Sequence, residues 1–179
     1  KMIDRRVKQM EDEGISFVFN TEVGKDITVK ELEDNYDAIV LACGSKKPRD
    51  LSIKGREAKG VYFAMDFLTQ QNRKNNNIPL YDKEIVTTGK DVLVIGGGDT
   101  GADCVGTSLR QGAKSVTQVE ILDKPSENRV NTNPWPQYPL ILKTSTSHKE
   151  ANYKYGNDPR EWNVTTKEFI KDENDNLTG

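Results

Sequence analysis

An α/β fold is predicted for this chain by three observations. The run Val92-Leu93-Val94-Ile95 is a strand-length apolar stretch that enters glycines spaced G-x-G-x-x-G, namely Gly96, Gly98 and Gly101. Ala102, Val105 and Leu109 then recur at helical spacing as far as Gly112, and a second apolar run, Val116 to Leu122, follows. Strand, helix and strand within about thirty residues make a βαβ unit, whose strands are parallel. Opened by that glycine turn, the unit predicts a Rossmann-like three-layer domain that binds a nicotinamide dinucleotide.

The remaining elements follow in chain order. Ile3, Val7 and Met10 lie on one helical stripe, and Gly14 is placed to stop that helix. Ile15 to Phe19 reads as a strand. Thr28 followed by Glu31 has capping-box spacing and predicts a short helix starting ahead of Leu32. Ala38-Ile39-Val40-Leu41-Ala42-Cys43-Gly44 is a continuous apolar run closed by glycine, the pattern of a strand buried on both faces. Residues 45–60 read as loop, and Val61 to Leu68 is apolar again. The polar string Gln70 to Asn77 is expected to be an exposed connector or helix end. The helix after the glycine turn is expected over Asp99 to Gln111. Beyond it come Pro125, Pro134, Pro136 and Pro139, then a strand pair around Trp162 to Ile170.

Composition narrows the function. With 26 basic and 28 acidic residues among 179, the net charge of −2 gives no general attraction to nucleic acid or to a membrane surface. Neither a spanning apolar run nor a signal-type leader is visible. Two cysteines, Cys43 and Cys104, make neither a disulfide framework nor a cysteine-ligated iron–sulfur or zinc site. A cytoplasmic, reducing setting is expected. The opening at Lys1 and the turn-like close at Thr178-Gly179 suggest a piece of something longer.

In the glycine motif each position has a physical reason. Gly96 permits the tight turn out of the strand, Gly98 leaves room for a pyrophosphate, and Gly101 brings helix and strand close. The helix N-terminus, from Gly97 on, presents free amides and a partial positive charge to phosphate. Asp99 and Thr100, in the first helical turn, are candidate ligand contacts; helix capping explains Asp99 equally well. Glu120, 24 residues beyond Gly96, stands near the place where an acid meets a ribose 2′-hydroxyl. Lys124 and Arg129 lie just beyond that strand and are candidates for a 2′-phosphate. These features leave NAD and NADP both open. His148 is the single histidine and is expected on a loop or the surface. Trp135, Tyr138 and Trp162 are expected to cover core or an interface, and no catalytic triad or metal set is visible.

The chain resembles the small (β) subunit of glutamate synthase. The likeness lies in Ile95-Gly96-Gly97-Gly98-Asp99-Thr100-Gly101, in Gly112 to Gln118 and in Asn133-Pro134-Trp135-Pro136. It extends to Thr144 to His148, Thr165 to Phe169, Tyr36 to Gly44 and Ala64 to Leu68. The resemblance implies a flavoprotein in which an NADPH domain, residues 61–179, is inserted into an FAD domain, of which residues 1–60 are a partial remnant. It further implies that Ala42, Cys43 and Gly44 touch FAD. Hydride would pass from NADP(H) to FAD and electrons through [4Fe–4S] clusters to a large (α) subunit, where glutamine and 2-oxoglutarate give glutamate. The family's cysteine-rich segment, first glycine fingerprint and C-terminal flavin segment have no counterpart here, so FAD and clusters belong to the intact subunit. Many NADPH-using relatives carry arginines where this chain has Ile121-Leu122, and threonine or isoleucine is usual where Cys43 stands. A reductase module serving ferredoxin or pyrimidine reduction, or a non-catalytic nucleotide-binding domain, are the alternatives.

Overall fold

A computed structural model describes residues 2–45, 47–80 and 83–179. Lys1, at which the sequence opens, and Lys46, within the expected loop, lie outside the described residues. The chain forms two compact units, Lys1–Lys47 and Pro48–Gly179. Among the described residues no helix is long and apolar enough to cross a membrane.

The first unit holds α1 (Met2–Asp12) and α2 (Val29–Asn35). Helix α1 ends as expected: Gly14 takes φ 93°. Its amide donates to the Glu11 carbonyl and the Ile15 amide to the Met10 carbonyl, the paired bonds of a Schellman stop. Helix α2 is opened by the Thr28–Glu31 capping box, both reciprocal bonds being present. The two strands expected here do not form. Ile15 to Phe19 is irregular, and Ala38 to Gly44 is likewise in no strand, with Val40 88% and Leu41 83% exposed. The reason is pairing. A strand buried on both faces needs neighbours in a sheet, and among the described residues this unit contains no strand to supply one.

The second unit contains α3 (Ala64–Asn75), β1 (Asp91–Ile95), α4 (Gly98–Arg110), β2 (Ser115–Glu120), α5 (Thr146–Tyr155) and β3 (Arg160–Trp162). The sheet has the order β1-β2-β3, and both pairings are parallel. Val92 faces Val116 in register, and Glu120 faces Trp162. Val105, Ala113, Val116 and Ala151 form the buried core, with Val92, Val94, Leu109 and Tyr155 packed against it. Helix α4 lies on β1 and β2, and both α3 and α5 pack on α4. On the other face of β1, Leu93 and Ile95 are exposed.

Several expected boundaries shift. β2 stops at Glu120, leaving Ile121 and Leu122 exposed. Helix α3 runs on through the polar string to Asn75. Its Gln70 is buried, donating to the Ile85 carbonyl (2.8 Å) and accepting from the Ile85 amide (2.6 Å). Polarity did not prevent burial because both ends of the amide found backbone partners. Of the strand pair expected over Trp162 to Ile170, only Trp162 is in a strand, and that strand joins β2. Residues 168–179 instead fold back on the segment 54–59. The Phe169 amide donates to the Lys54 carbonyl (2.9 Å) and the Leu177 amide to the Lys59 carbonyl (2.9 Å). Gly55 is required there: it has φ +80°, and a Cβ would stand 2.1 Å from the Phe169 carbonyl oxygen. These bonds tie residues 54–59 to the rest of the second unit, which begins at Pro48.

Candidate functional site

The carboxyl ends of β1 and β2 open into a cleft of about 380 Å3 bordered by Gly97, Gly98, Asp99, Glu120, His148 and Arg160, among others. Ligands of parallel α/β sheets gather at this edge, where strand ends and helix N-termini converge. Gly96 continues the ladder by donating its amide to the Val119 carbonyl (2.9 Å), then turns the chain with φ 109°. Gly97 is the N-cap of α4 and has no side chain to accept the amides of the first turn. Gly98 has φ +80°, and nothing lies within 4 Å of where a Cβ would stand. The turn therefore offers uncapped amides beside open space, the arrangement that holds an anion.

Glu120 and Gly101 fit the turn in different ways. A Cβ on Gly97 would stand 2.0 Å from Glu120 Oε2, so the Glu120 carboxylate leans directly on the turn. A Cβ on Gly101 would stand 2.6 Å from the Gly96 carbonyl oxygen and 2.5 Å from Gln118 Nε2. Glycine is thus obligatory where α4 crosses β1 and β2.

The rear wall of the cleft is polar and ordered. Gln118, 2% exposed, donates from Nε2 to the Gly96 carbonyl (2.9 Å). Its Oε1 lies 2.8 Å from His148 Nε2. His148 is 6% exposed; its Nδ1 accepts from the Ser145 amide (3.2 Å), while Ser145 Oγ accepts from the His148 amide (3.3 Å), which caps α5. Burial, and after it the Arg160 guanidinium, holds the imidazole below its ordinary value and keeps it neutral, against a smaller opposing pull from Asp158. Arg160 is itself committed. It bonds Asp158 (2.7 Å), the Lys143 carbonyl (2.8 Å) and Thr144 Oγ1 (3.2 Å), and this keeps the Asp158 carboxyl below its usual range.

Not every residue named from sequence reaches the cleft. Thr100 borders a separate groove of about 580 Å3 between α3 and α4. Lys124 is exposed and does not line the cleft. The Arg129 Nη1 donates to the carbonyls of Asn133 (3.0 Å) and Gln137 (2.9 Å), binding the proline-rich loop to itself. Ala42, Cys43 and Gly44 lie exposed in the first unit. His148, expected on a loop or surface, is instead buried on a helix, because its two ring nitrogens find partners there. Trp162 borders the cleft, whereas Trp135 and Tyr138 are exposed.

The profile of the pyridine nucleotide-disulphide oxidoreductase family matches residues 1–133. The chain belongs to this family. Among curated relatives it is similar to the glutamate synthase [NADH] of Schizosaccharomyces pombe, at 48% identity over 100% of this chain and 9% of the relative. It is also similar to the glutamate synthase [NADPH] small chain of Bacillus subtilis, at 46% over 98% of this chain and 36% of the relative. The small chain of Mycobacterium tuberculosis shows 42% over 94% of this chain and 34% of the relative. The chain therefore spans about a third of the bacterial small chains and less than a tenth of the fission yeast protein.

Membership of a pyridine nucleotide family accords with the uncapped turn, but the fingerprint alone does not disclose the wall behind it. Gln118, Ser145, His148 and Arg160 are among the cleft residues that motif reading missed. Two signals were available. Gln118 shares strand parity with the buried Val116, so a polar side chain there must be satisfied inside. Ser145-x-x-His148 has the spacing of a helix cap and its N3 partner, with histidine in place of the usual glutamate.

Proposed function

We propose that residues 61–179 are the Rossmann-like, three-layer NADP(H)-binding domain of a glutamate synthase small chain, and that residues 1–60 belong to its FAD domain. The observation that carries this reading is the uncapped Gly97-Gly98 turn at the α4 N-terminus, open to the cleft. Its amides would hold the pyrophosphate, and the absence of a side chain at Gly98 allows the backbone contact. Glu120, beside Gly97, would accept from an adenosine ribose hydroxyl, the 2′-hydroxyl in NADH and the 3′-hydroxyl in NADPH. Lys124 and Arg129 stand outside the cleft lining, and their segment would have to close over the cleft for them to meet a 2′-phosphate.

When bound, the nicotinamide supplies a hydride. In the whole protein FAD, [4Fe–4S] clusters and a large (α) subunit would follow, with glutamate formed from glutamine and 2-oxoglutarate. The names of the relatives support this placement. Ala42, Cys43 and Gly44 are exposed on an unpaired segment.

Equilibrium titration of the chain with NADPH and NADH tests the reading, because the relatives carry both cofactor names. Gly98→Val, which strains a φ of +80° and fills the open space, is expected to weaken binding at least about tenfold. Arg129→Ala separates the cofactors, weakening NADPH alone. If neither nucleotide binds with a Kd below about 1 mM, the cofactor role is wrong.

A further inference from the structure

Behind the turn, four groups form one hydrogen-bonded file whose direction is fixed at both ends. The Ser145 amide can only donate, and the Gly96 carbonyl can only accept. Between them lie His148 Nδ1 at 3.2 Å from the Ser145 amide, His148 Nε2 at 2.8 Å from Gln118 Oε1, and Gln118 Nε2 at 2.9 Å from the Gly96 oxygen. Only one assignment satisfies every member: Nδ1 bare, Nε2 protonated, and the Gln118 amide directed at Gly96. We propose that Gln118 and His148 are positioning residues for the phosphate-binding turn, fixing the Gly96–Gly97 peptide so that its amide edge serves the ligand. This rests on the dinucleotide reading above and goes beyond it, since neither residue belongs to the glycine fingerprint.

The consequence for the ligand follows from peptide planarity. In a trans peptide the carbonyl of Gly96 and the amide of Gly97 point in opposite directions. Gln118 captures the carbonyl, so the Gly97 amide is held antiparallel to it, at a residue bordering the cleft. The residues on its two sides, Gly96 with φ 109° and Gly97 with φ −88°, carry no Cβ to restrict its rotation, so the peptide is free to turn unless something anchors it. A rotated peptide would present a carbonyl oxygen to a diphosphate, and like partial charges repel. A second proton on Nδ1 would leave the Nε2–H bond to Gln118 in place, but it would displace the Ser145 amide and turn Ser145 Oγ, 3.2 Å away, into its acceptor, loosening the α5 cap that holds the ring.

The charges around His148 come from several elements. Arg160 and Asp158 face it from β3 and the residues just before it; Arg160 opposes a second proton and Asp158 favours one. On the cleft lining stand Glu120 from β2, Asp99 from α4, and Lys143 and Asp123 from the connecting segment. Burial is the largest influence and opposes protonation. Because the folded value lies below the ordinary 6.5, the relay is complete above 6.5 and loosens as pH falls through the lowered value.

The test is NADP+ and NAD+ binding to the full chain, followed from about pH 8 to about pH 5. His148→Leu and Gln118→Leu are expected to weaken binding about tenfold at the upper end, the effect of one lost hydrogen bond to a buried group. His148→Gln keeps an N–H at the reach of Nε2 and does not titrate. It should recover most of the affinity lost in His148→Leu, and its advantage over the parent chain should grow as pH falls. Titration of the 2′-phosphate is common to both proteins and cancels in that comparison. Should the leucine variants fail to fold, the nitrogen shifts of the single histidine decide: a bare Nδ1 and a protonated Nε2 support the relay, and the opposite tautomer overturns it. Folded leucine variants that bind within twofold also overturn it. A parent chain that binds neither nucleotide at any pH refutes the dinucleotide reading, and the relay with it.

Discussion

Gly101→Ala is the most direct test of how α4 meets the sheet. The added methyl would stand 2.6 Å from the Gly96 carbonyl oxygen and 2.5 Å from Gln118 Nε2, both closer than carbon tolerates. The oxygen belongs to backbone fixed in the β1–β2 ladder, so α4 must move away or Gln118 must leave. Overpacking of this kind costs about 1–3 kcal/mol. Losing the Gln118–Gly96 bond inside the protein adds about 1–3 kcal/mol, because a buried donor is left unpaired. Alanine returns about 1 kcal/mol through helix propensity. The net expectation is about 3 kcal/mol of destabilisation, or about 10 °C in Tm for a unit of this size. Thermal unfolding followed by circular dichroism measures it. A Gly101→Ala protein melting within about 2 °C of the parent would refute the close helix–strand crossing and the hydrogen bond beneath it.

Two further outcomes follow from burial. Val105 is fully buried at the centre of the core, so Val105→Ala should cost about 2 kcal/mol in a urea titration, with an unchanged m-value. Cys104 is buried and its thiol is pushed up to about 11, chiefly by loss of hydration, while Cys43 is exposed. Iodoacetamide at about pH 8 should therefore modify Cys43 alone in the native protein, and mass spectrometry of the digest should find Cys104 unmodified until denaturant is added.

The parts of the fold that were legible in sequence are those decided locally. Gly14 stops α1 because its own backbone can adopt a positive φ, and Thr28 with Glu31 starts α2 through bonds across one turn. The unit from β1 to β2 was legible because both strands and their helix lie close together along the chain. Ala38 to Gly44 misled for the opposite reason. An apolar run shows that a segment would be buried in a sheet, but the sheet must come from elsewhere. Helix α5 was hidden because its residues, Thr-Ser-His-Lys-Glu-Ala-Asn-Tyr-Lys-Tyr, carry almost no apolar stripe. It is held by Ala151 in the core and by the Ser145–His148 cap.

What joins the legible motif to the hidden wall is one face of β2. Val116, Gln118 and Glu120 share strand parity and sit about 6.6 Å apart, at roughly 3.3 Å per residue. Across from them α4 descends from Gly97 through Gly101 to Val105, four residues or about 6 Å at each step. The two spacings nearly match, so the elements meet in three rungs. Val105 and Val116 share the core cluster. Gly101 receives the Gln118 amide, and Gly97 receives the Glu120 carboxylate. Going up the strand, one face passes from core to relay to cleft, and the opposing helix shrinks from valine to glycine as the side chains across from it become longer and polar. On this reading the glycines at 97 and 101 answer to β2 as much as to any ligand. The fingerprint and the polar residues at 118 and 120 are then two halves of a single packing solution.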